Sequence, residues 1–305
     1  MQINLSEINV QGSFRGLNFM KSSAESILQK FKETADGNRQ INGRDISEVY
    51  GRLHKLKSAP ELPSPTFTPV LPISDLKNER QLGLIVETRK TDAILFVIKN
   101  FIENTGLPVH VILSEKNLDY VNAPLLTDFV ENGLLAVSKL ELSNLTASKY
   151  NALFLNDRLW KYHSSFDKII VFQTDSCICS SSPYKLDDFL GFDYIGADWP
   201  RKRPVGLIID GGVGGFSLRD ITKASNCLRQ FDPNLWPGGE DGYFGFHMEL
   251  LDGKVARSAD RQRFCAQYDF VAHSFACHSI KSMPMRKRLK FFKYCPEALL
   301  LNNCR

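Results

Sequence analysis

Hydrophobic and polar residues follow three successive textures along this chain. From Gln81 onward, short apolar runs alternate with longer segments whose apolar residues recur at three and four. The runs at 82–87 (LGLIVE), 109–113 (VHVIL), about 134–137 and 168–174 read as strands, and 91–104, 124–132 and 147–162 read as helices. A run as apolar and β-branched as Ile169-Ile170-Val171-Phe172 belongs to a strand covered on both faces. Strands separated by helices of this length build a parallel, doubly wound sheet with right-handed crossovers. Upstream, residues 1–57 are polar with helical spacing, as in Ser23–Phe31 and Ile46–Leu56, and predict a helical N-terminal extension. Prolines at 60, 63, 65, 69 and 72 then predict an extended linker over 58–79, since proline lacks an amide donor and restricts its predecessor. Beyond about residue 190 the texture changes to glycine-rich loops and aromatic residues. The chain thus divides into the extension, the linker, an α/β domain over 80–284 and a basic tail over 285–305.

Composition narrows the classes. With 305 residues, 43% of them hydrophobic and 24% charged, the chain can bury a substantial core. A net charge of +4 is too small for a dedicated nucleic-acid binder. No stretch approaches the roughly 18 consecutive apolar residues of a membrane span, and the N-terminus lacks a signal-peptide core, so a cytoplasmic location is the expectation. The seven cysteines (177, 179, 227, 265, 277, 295 and 304) are scattered without CxxC spacing and read as reduced and structural. The tail, with Arg286, Lys287, Arg288, Lys290 and Lys293 beside Phe291 and Phe292, admits peripheral contact with an anionic membrane; the plainer reading is a solvated helix face. Oligomeric state is not legible.

The chemistry begins where the last strand ends. In α/β sheets ligands sit beyond the carboxyl ends of the strands, and the run Ile169–Thr174 ends at Asp175, a carboxylate able to hold a divalent cation. Taken alone, Asp175 equally reads as a carboxylate capping the next turn. No GxGxxG follows the first strand and no GxxxxGK[ST] occurs, so phosphate must be held in another way. Four glycines within Gly211–Gly215 allow positive φ and close backbone approach. Glu240 and Asp241 open an apparent helix, where an acidic N-terminus is also ordinary capping.

These segments together resemble glycosyltransferases of the GT-A fold, in particular an uncharacterised family of glycosyltransferase-like proteins. The resemblance is carried by VETR at 86–89, KYNALFLNDRLW at 149–160, VFQTDSCI at 171–178, FDYIGADW at 192–199, GGVGGFSLR at 211–219, GGEDGYFG at 238–245 and FACHS at 275–279, and spans about residues 80–280. It implies a GT-A-like, mostly parallel Rossmann-type sheet flanked by helices, and transfer of a sugar from a UDP- or GDP-sugar to a glycan or other hydroxyl acceptor, with inversion. Asp175 matches the first position of an Asp-x-Asp motif that binds Mn2+ or Mg2+, and Cys177 stands where the second carboxylate would be. The resemblance assigns His278 as the other metal ligand and Asp241 as the base, with Glu240 in support. In that fold the glycine loop, here with Gly214 and Gly215, lines the donor; Glu87, Thr88 and Arg89 close the first strand, where a nucleotide would rest, and Asn151 and Arg158 are further donor candidates. Asp198 and Trp199 are acceptor candidates. Asn151 and Arg158, seven apart, would share one helix face. The rival classes are a nucleotidyltransferase on a related fold, which usually has a glycine-rich basic loop after its first strand, and a non-catalytic carbohydrate-binding protein.

Overall fold

The computed structural model describes residues 65–199, 210–236 and 238–303. The predicted N-terminal helices over 1–57, and the start of the linker, lie outside the described residues. A seven-stranded sheet runs in the order β1-β4-β3-β2-β5-β8-β7. Its centre is parallel: β2 (Gln81–Glu87), β3 (Val109–Ser114), β4 (Leu135–Leu140) and β5 (Lys168–Phe172) pair in one direction. The edge strand β1 (Phe67–Leu71) is antiparallel to β4, while β8 (Val213–Asp220) is antiparallel to β5 and to β7 (Tyr194–Ala197). This is a mixed α/β, mostly parallel, Rossmann-like sheet flanked by helices.

The apolar runs behave as their composition demands. Every residue of β3 is buried, as are six of seven in β2, because helices cover both faces. One core cluster packs α1 (Ala93–Thr105) against one face, with Phe101 stacked on Phe172 at 4.7 Å. The other cluster gathers α3 (Ala147–Phe154), α4 (Asp157–Tyr162), α5 (Ile221–Gln230) and α6 (Glu240–Leu250) around Trp160, Tyr243 and Phe244.

Three predicted elements come out differently. Residues 67–71, within the predicted linker, join the sheet: Pro69 is tolerated because β1 is an edge strand. The predicted single helix over 147–162 is two helices, because the Asn156 side chain caps the second by accepting from the Arg158 amide. The tail is folded structure rather than a tail: α8 (Met285–Tyr294) and α9 (Glu297–Asn303) pack against the domain through Phe291 and Ala298, both fully buried.

A second sheet of three short strands, β6-β10-β9, sits beyond the end of β5. It is formed by β6 (Ser176–Ile178), β9 (Cys265–Ala266) and β10 (Ala276–His278). Buried Asn100 on α1 fixes β6 by exchanging two hydrogen bonds with the Ile178 backbone, at 2.7 and 3.1 Å. Here the expectation of scattered reduced thiols fails in part: Cys179 and Cys295, 116 residues apart, form a disulfide that ties β6 to the junction of α8 and α9. Among the described residues Cys177, Cys227, Cys265 and Cys277 are free and buried.

Burial also makes the fold acid-sensitive. His163 donates Nδ1–H to the Leu159 carbonyl at 2.7 Å, which leaves its Nε2 to accept from His110 Nδ1 at 2.8 Å; His110 Nε2 then accepts from the Ser138 hydroxyl at 2.9 Å. Burial pushes His110 well below the usual histidine value of 6.5, His163 to about 4 and His247 to about 3. The unfolded chain therefore binds more protons than the native one below pH 6.5, so stability is lost as pH falls. The three together should cost roughly 3 kcal/mol between pH 6.5 and 5.5. Urea midpoints measured at the two pH values would test this; equal midpoints would refute it.

Candidate functional site

Two parallel strands end side by side and carry the first groups. Glu87, the last residue of β2, is buried, and one carboxylate oxygen accepts from the amides of Thr88 and Arg89 and from Arg89 Nε. Its other oxygen accepts from Arg89 Nη2 at 2.7 Å and from the Thr174 hydroxyl at 3.0 Å. Burial opposes ionisation of Glu87, but the hydrogen bonds and charge of Arg89 outweigh it and hold the carboxyl below the usual glutamate value. Thr88 is buried too, its hydroxyl accepting from the Leu145 amide. Asn117 braces the same turn by donating to the carbonyls of Glu87 and Arg89. Of the triplet 87–89, then, only the Arg89 side chain, 73% exposed, is presented outward.

At the end of β5 the chain turns sharply. The Ser176 amide and hydroxyl both donate to the Gln173 carbonyl, and the Gln173 amide donates back to the Ser176 hydroxyl. Asp175 is left at the tip with its side chain 53% exposed. The register of the small sheet brings its partner: His278 lies opposite Ser176, and the Ser279 amide donates to the Asp175 carbonyl at 2.9 Å. His278 Nε2 is consequently 3.3 Å from Asp175 Oδ1 and 3.2 Å from Gln173 Oε1. Partial desolvation raises the Asp175 carboxyl, but His278 outweighs it and holds the group below the usual aspartate value. His273 instead sits exposed in a turn at φ 70°.

A carboxylate oxygen and an imidazole nitrogen 3.3 Å apart have the spacing of two adjacent ligands of one ion at about 2.1 Å. The mixed oxygen and nitrogen donors suit Mn2+ or Mg2+, with the nitrogen favouring Mn2+. Beside them opens a cleft of about 550 Å³ lined by Arg89, Lys90, Thr174, Asp175, Lys281 and Leu301, among others. Arg89 is committed to Glu87 and Lys90 to Asp119, while Lys281 forms no ion pair among the described residues. The cleft is cationic apart from Asp175.

The glycine loop has two jobs. Gly211 and Gly212 take φ of 94° and 102° at the turn into β8, a conformation closed to most side chains. Gly214 and Gly215 leave room for neighbours: a Cβ on Gly214 would lie 2.6 Å from Arg219 Nη2 and 3.1 Å from the Asp241 Cβ, and one on Gly215 would collide with the His278 ring. The start of β8, which runs past the end of β5, therefore passes between Asp241 and His278. Asp241 Oδ2 accepts from the Gly214 amide at 3.3 Å and Oδ1 from the Gly242 amide at 2.7 Å. Burial pushes its carboxyl above the usual value of 3.8.

Glu240 plays a different part from its neighbour. It is 4% exposed and forms a two-pronged ion pair with the fully buried Arg219, so it is a holding group rather than a free acid or base. The same Arg219 lies within 5.0–5.6 Å of the ring centroids of Phe154, Tyr194 and Phe244. Asn151 accepts from the Glu240 amide at 3.3 Å and so caps α6. Arg158 is exposed on the separate helix α4, off the cleft lining; the break at Asn156 removes the shared face that a spacing of seven implied.

A second cleft, of about 370 Å³, includes Asp198, Trp199, Gln262, Tyr268, Asp269 and Lys287 in its lining. Asp198 is tied on both oxygens, to Arg261 Nε at 2.9 Å and to the Ser258 hydroxyl at 3.0 Å. Tyr268 lines this cleft, and burial, and then the negative charge of Asp241, raise its phenol. Sequence reading missed Gln173, Arg219, Tyr268 and Lys281. Arg219 carried a signal, as a lone cation in an apolar strand run, and the others carried none.

Residues 135–279 match a family described as a protein of unknown function (DUF5672). That span includes Asp175, the glycine loop, Asp241 and His278, and excludes Glu87–Arg89. No curated protein matches the chain. Among solved structures, a Bacillus anthracis protein described as a glucose-1-phosphate thymidylyltransferase, in complex with a sucrose, is similar at 10% identity with a TM-score of 0.39, over 73% of this chain and 96% of that one.

Proposed function

We propose that this protein is a metal-assisted glycosyltransferase that moves a sugar from a nucleoside diphosphate sugar to an acceptor hydroxyl, with inversion. The observation that carries the reading is that Asp175 and His278, beside a cationic cleft, and Asp241, on the other side of the strand, both meet the start of β8. Asp175 and His278 would hold Mn2+ or Mg2+. Such an ion supplies Lewis acidity to a departing diphosphate. Lys281 would bind phosphate oxygens by charge-assisted hydrogen bonds, with the already paired Arg89 and Lys90 adding positive potential beside it. Asp241 would take the proton from the acceptor hydroxyl, and a carboxyl raised by burial is a better base than an ordinary aspartate. The second cleft, whose lining includes Tyr268 and Trp199, would receive the acceptor.

Thermal melting of the full chain against nucleoside diphosphates, triphosphates and diphosphate sugars, with and without Mn2+, tests the reading. The expected result is a rise in Tm with one diphosphate sugar that requires Mn2+ and disappears in both Asp175→Ala and His278→Ala. Preference for a triphosphate would move the assignment to nucleotidyl transfer. An equal rise without metal would remove Asp175 and His278 from the role given to them.

A further inference from the structure

Among the described residues, six large hydrophobic side chains are conspicuously exposed: Val70, Leu125, Met285, Leu289, Leu299 and Leu300. Four of the six belong to the two C-terminal helices. On α8 the buried side is marked by Phe291, fully covered, and by Cys295, about one turn further on at the helix end and also buried. The opposite side carries Met285, Arg286, Leu289, Lys290 and Lys293, all exposed. At 100° per residue these five fall within an arc of about 140°, one continuous outward stripe. The stripe mixes two apolar side chains with three cations, and α8 contains no acidic residue. Arg286, Lys290 and Lys293 form no ion pair among the described residues; the α8 cation that does, Lys287, reaches sideways to Asp269. Leu299 and Leu300 add exposed apolar surface on the adjoining helix.

A face meant only for water would carry both signs of charge and few leucines. A second copy of this chain docked face to face would set three more cations against these, and α8 presents no acidic residue to meet them. We infer that the outward face of α8 and α9 docks on an anionic lipid surface, with Met285, Leu289, Leu299 and Leu300 entering the headgroup boundary and Arg286, Lys290 and Lys293 meeting lipid phosphates. Lys281, just before α8, and Leu301, just after the exposed leucine pair, line the cleft described above, so the docking face and that cleft share one stretch of chain. The inference rests on the surface alone and does not depend on the reaction assigned to the cleft.

Co-sedimentation of the full chain with vesicles of phosphatidylcholine alone, or of phosphatidylcholine with phosphatidylserine, tests it. The protein should pellet with the anionic vesicles and stay in solution with the neutral ones, and release should increase with salt. Each cation near such a surface is worth about fivefold in partitioning, so Arg286→Ala, Lys290→Ala and Lys293→Ala combined should weaken binding by about 100-fold. Met285→Ala with Leu289→Ala should weaken it while leaving the salt dependence in place. All these positions are exposed, and an unchanged melting temperature would show that the variants fold. Equal pelleting with both vesicle types, or binding unaltered in the triple variant, would overturn the inference. So would a concentration-dependent dimer abolished by Leu289→Ala, which would assign the face to a second copy of the chain.

Discussion

Asp241→Asn should lower sugar transfer by about 10²–10⁴-fold, the usual contribution of a positioned general base, while leaving the fold and metal-dependent donor binding intact. The substitution is nearly isosteric, and an asparagine oxygen can still accept from the Gly214 or Gly242 amides that hold the aspartate. What it removes is the capacity to take a proton. Because burial raises the Asp241 carboxyl, the acid limb of the wild-type rate should lie above pH 3.8, and activity should rise with pH through it. The decisive comparison is turnover against the Mn2+-dependent rise in Tm. A variant that keeps both would leave Asp241 as a simple helix-start carboxylate, and one that loses both would make it part of donor binding.

The second large effect is on stability. Arg219→Met should cost about 3–5 kcal/mol, because it leaves the Glu240 carboxylate buried and uncompensated. Burial works against the charge on both partners: Glu240 raises the Arg219 guanidinium above its usual value, while burial pushes the Glu240 carboxyl up against the pull of Arg219, so each depends on the other. Arg219 Nη2 also donates to the Gly214 carbonyl at 3.3 Å, and its Nε donates to the Ser217 hydroxyl at 3.0 Å. Urea denaturation measures the loss. Replacing both partners, as Arg219→Met with Glu240→Leu, should recover much of it, since an apolar pair carries no desolvation cost. If the double variant were no more stable than the single one, the loss would come from the aromatic stacking around the guanidinium rather than from a stranded charge.

Glu240 and Asp241 illustrate how adjacent residues separate in role. From the chain alone they are an acidic pair at a helix start, and either could be the working carboxylate. The fold assigns one to a sealed ion pair and leaves the other at the lip of β8. Much the same happens after β2, where Glu87 and Thr88 turn inward to shape a loop and Arg89 alone reaches the cleft.

Local information was sufficient for the central parallel strands β2–β5 and for the position of Asp175. A strand buried on both faces must be apolar at every position, and the place where that run stops is visible in the residues themselves. The helix break at Asn156 was less visible, since capping replaces the expected continuity without any proline or glycine. Pairings between distant segments were not encoded locally at all. His278 meets Asp175 only because β10 lies on β6 in one register, and Cys179 reaches Cys295 across 116 residues for a similar reason. The amphipathic face of α8 likewise required knowing which side Phe291 buries. Periodicity determines which residues leave water; which of them then meet depends on register and packing, and those are properties of the assembled sheet and its helices.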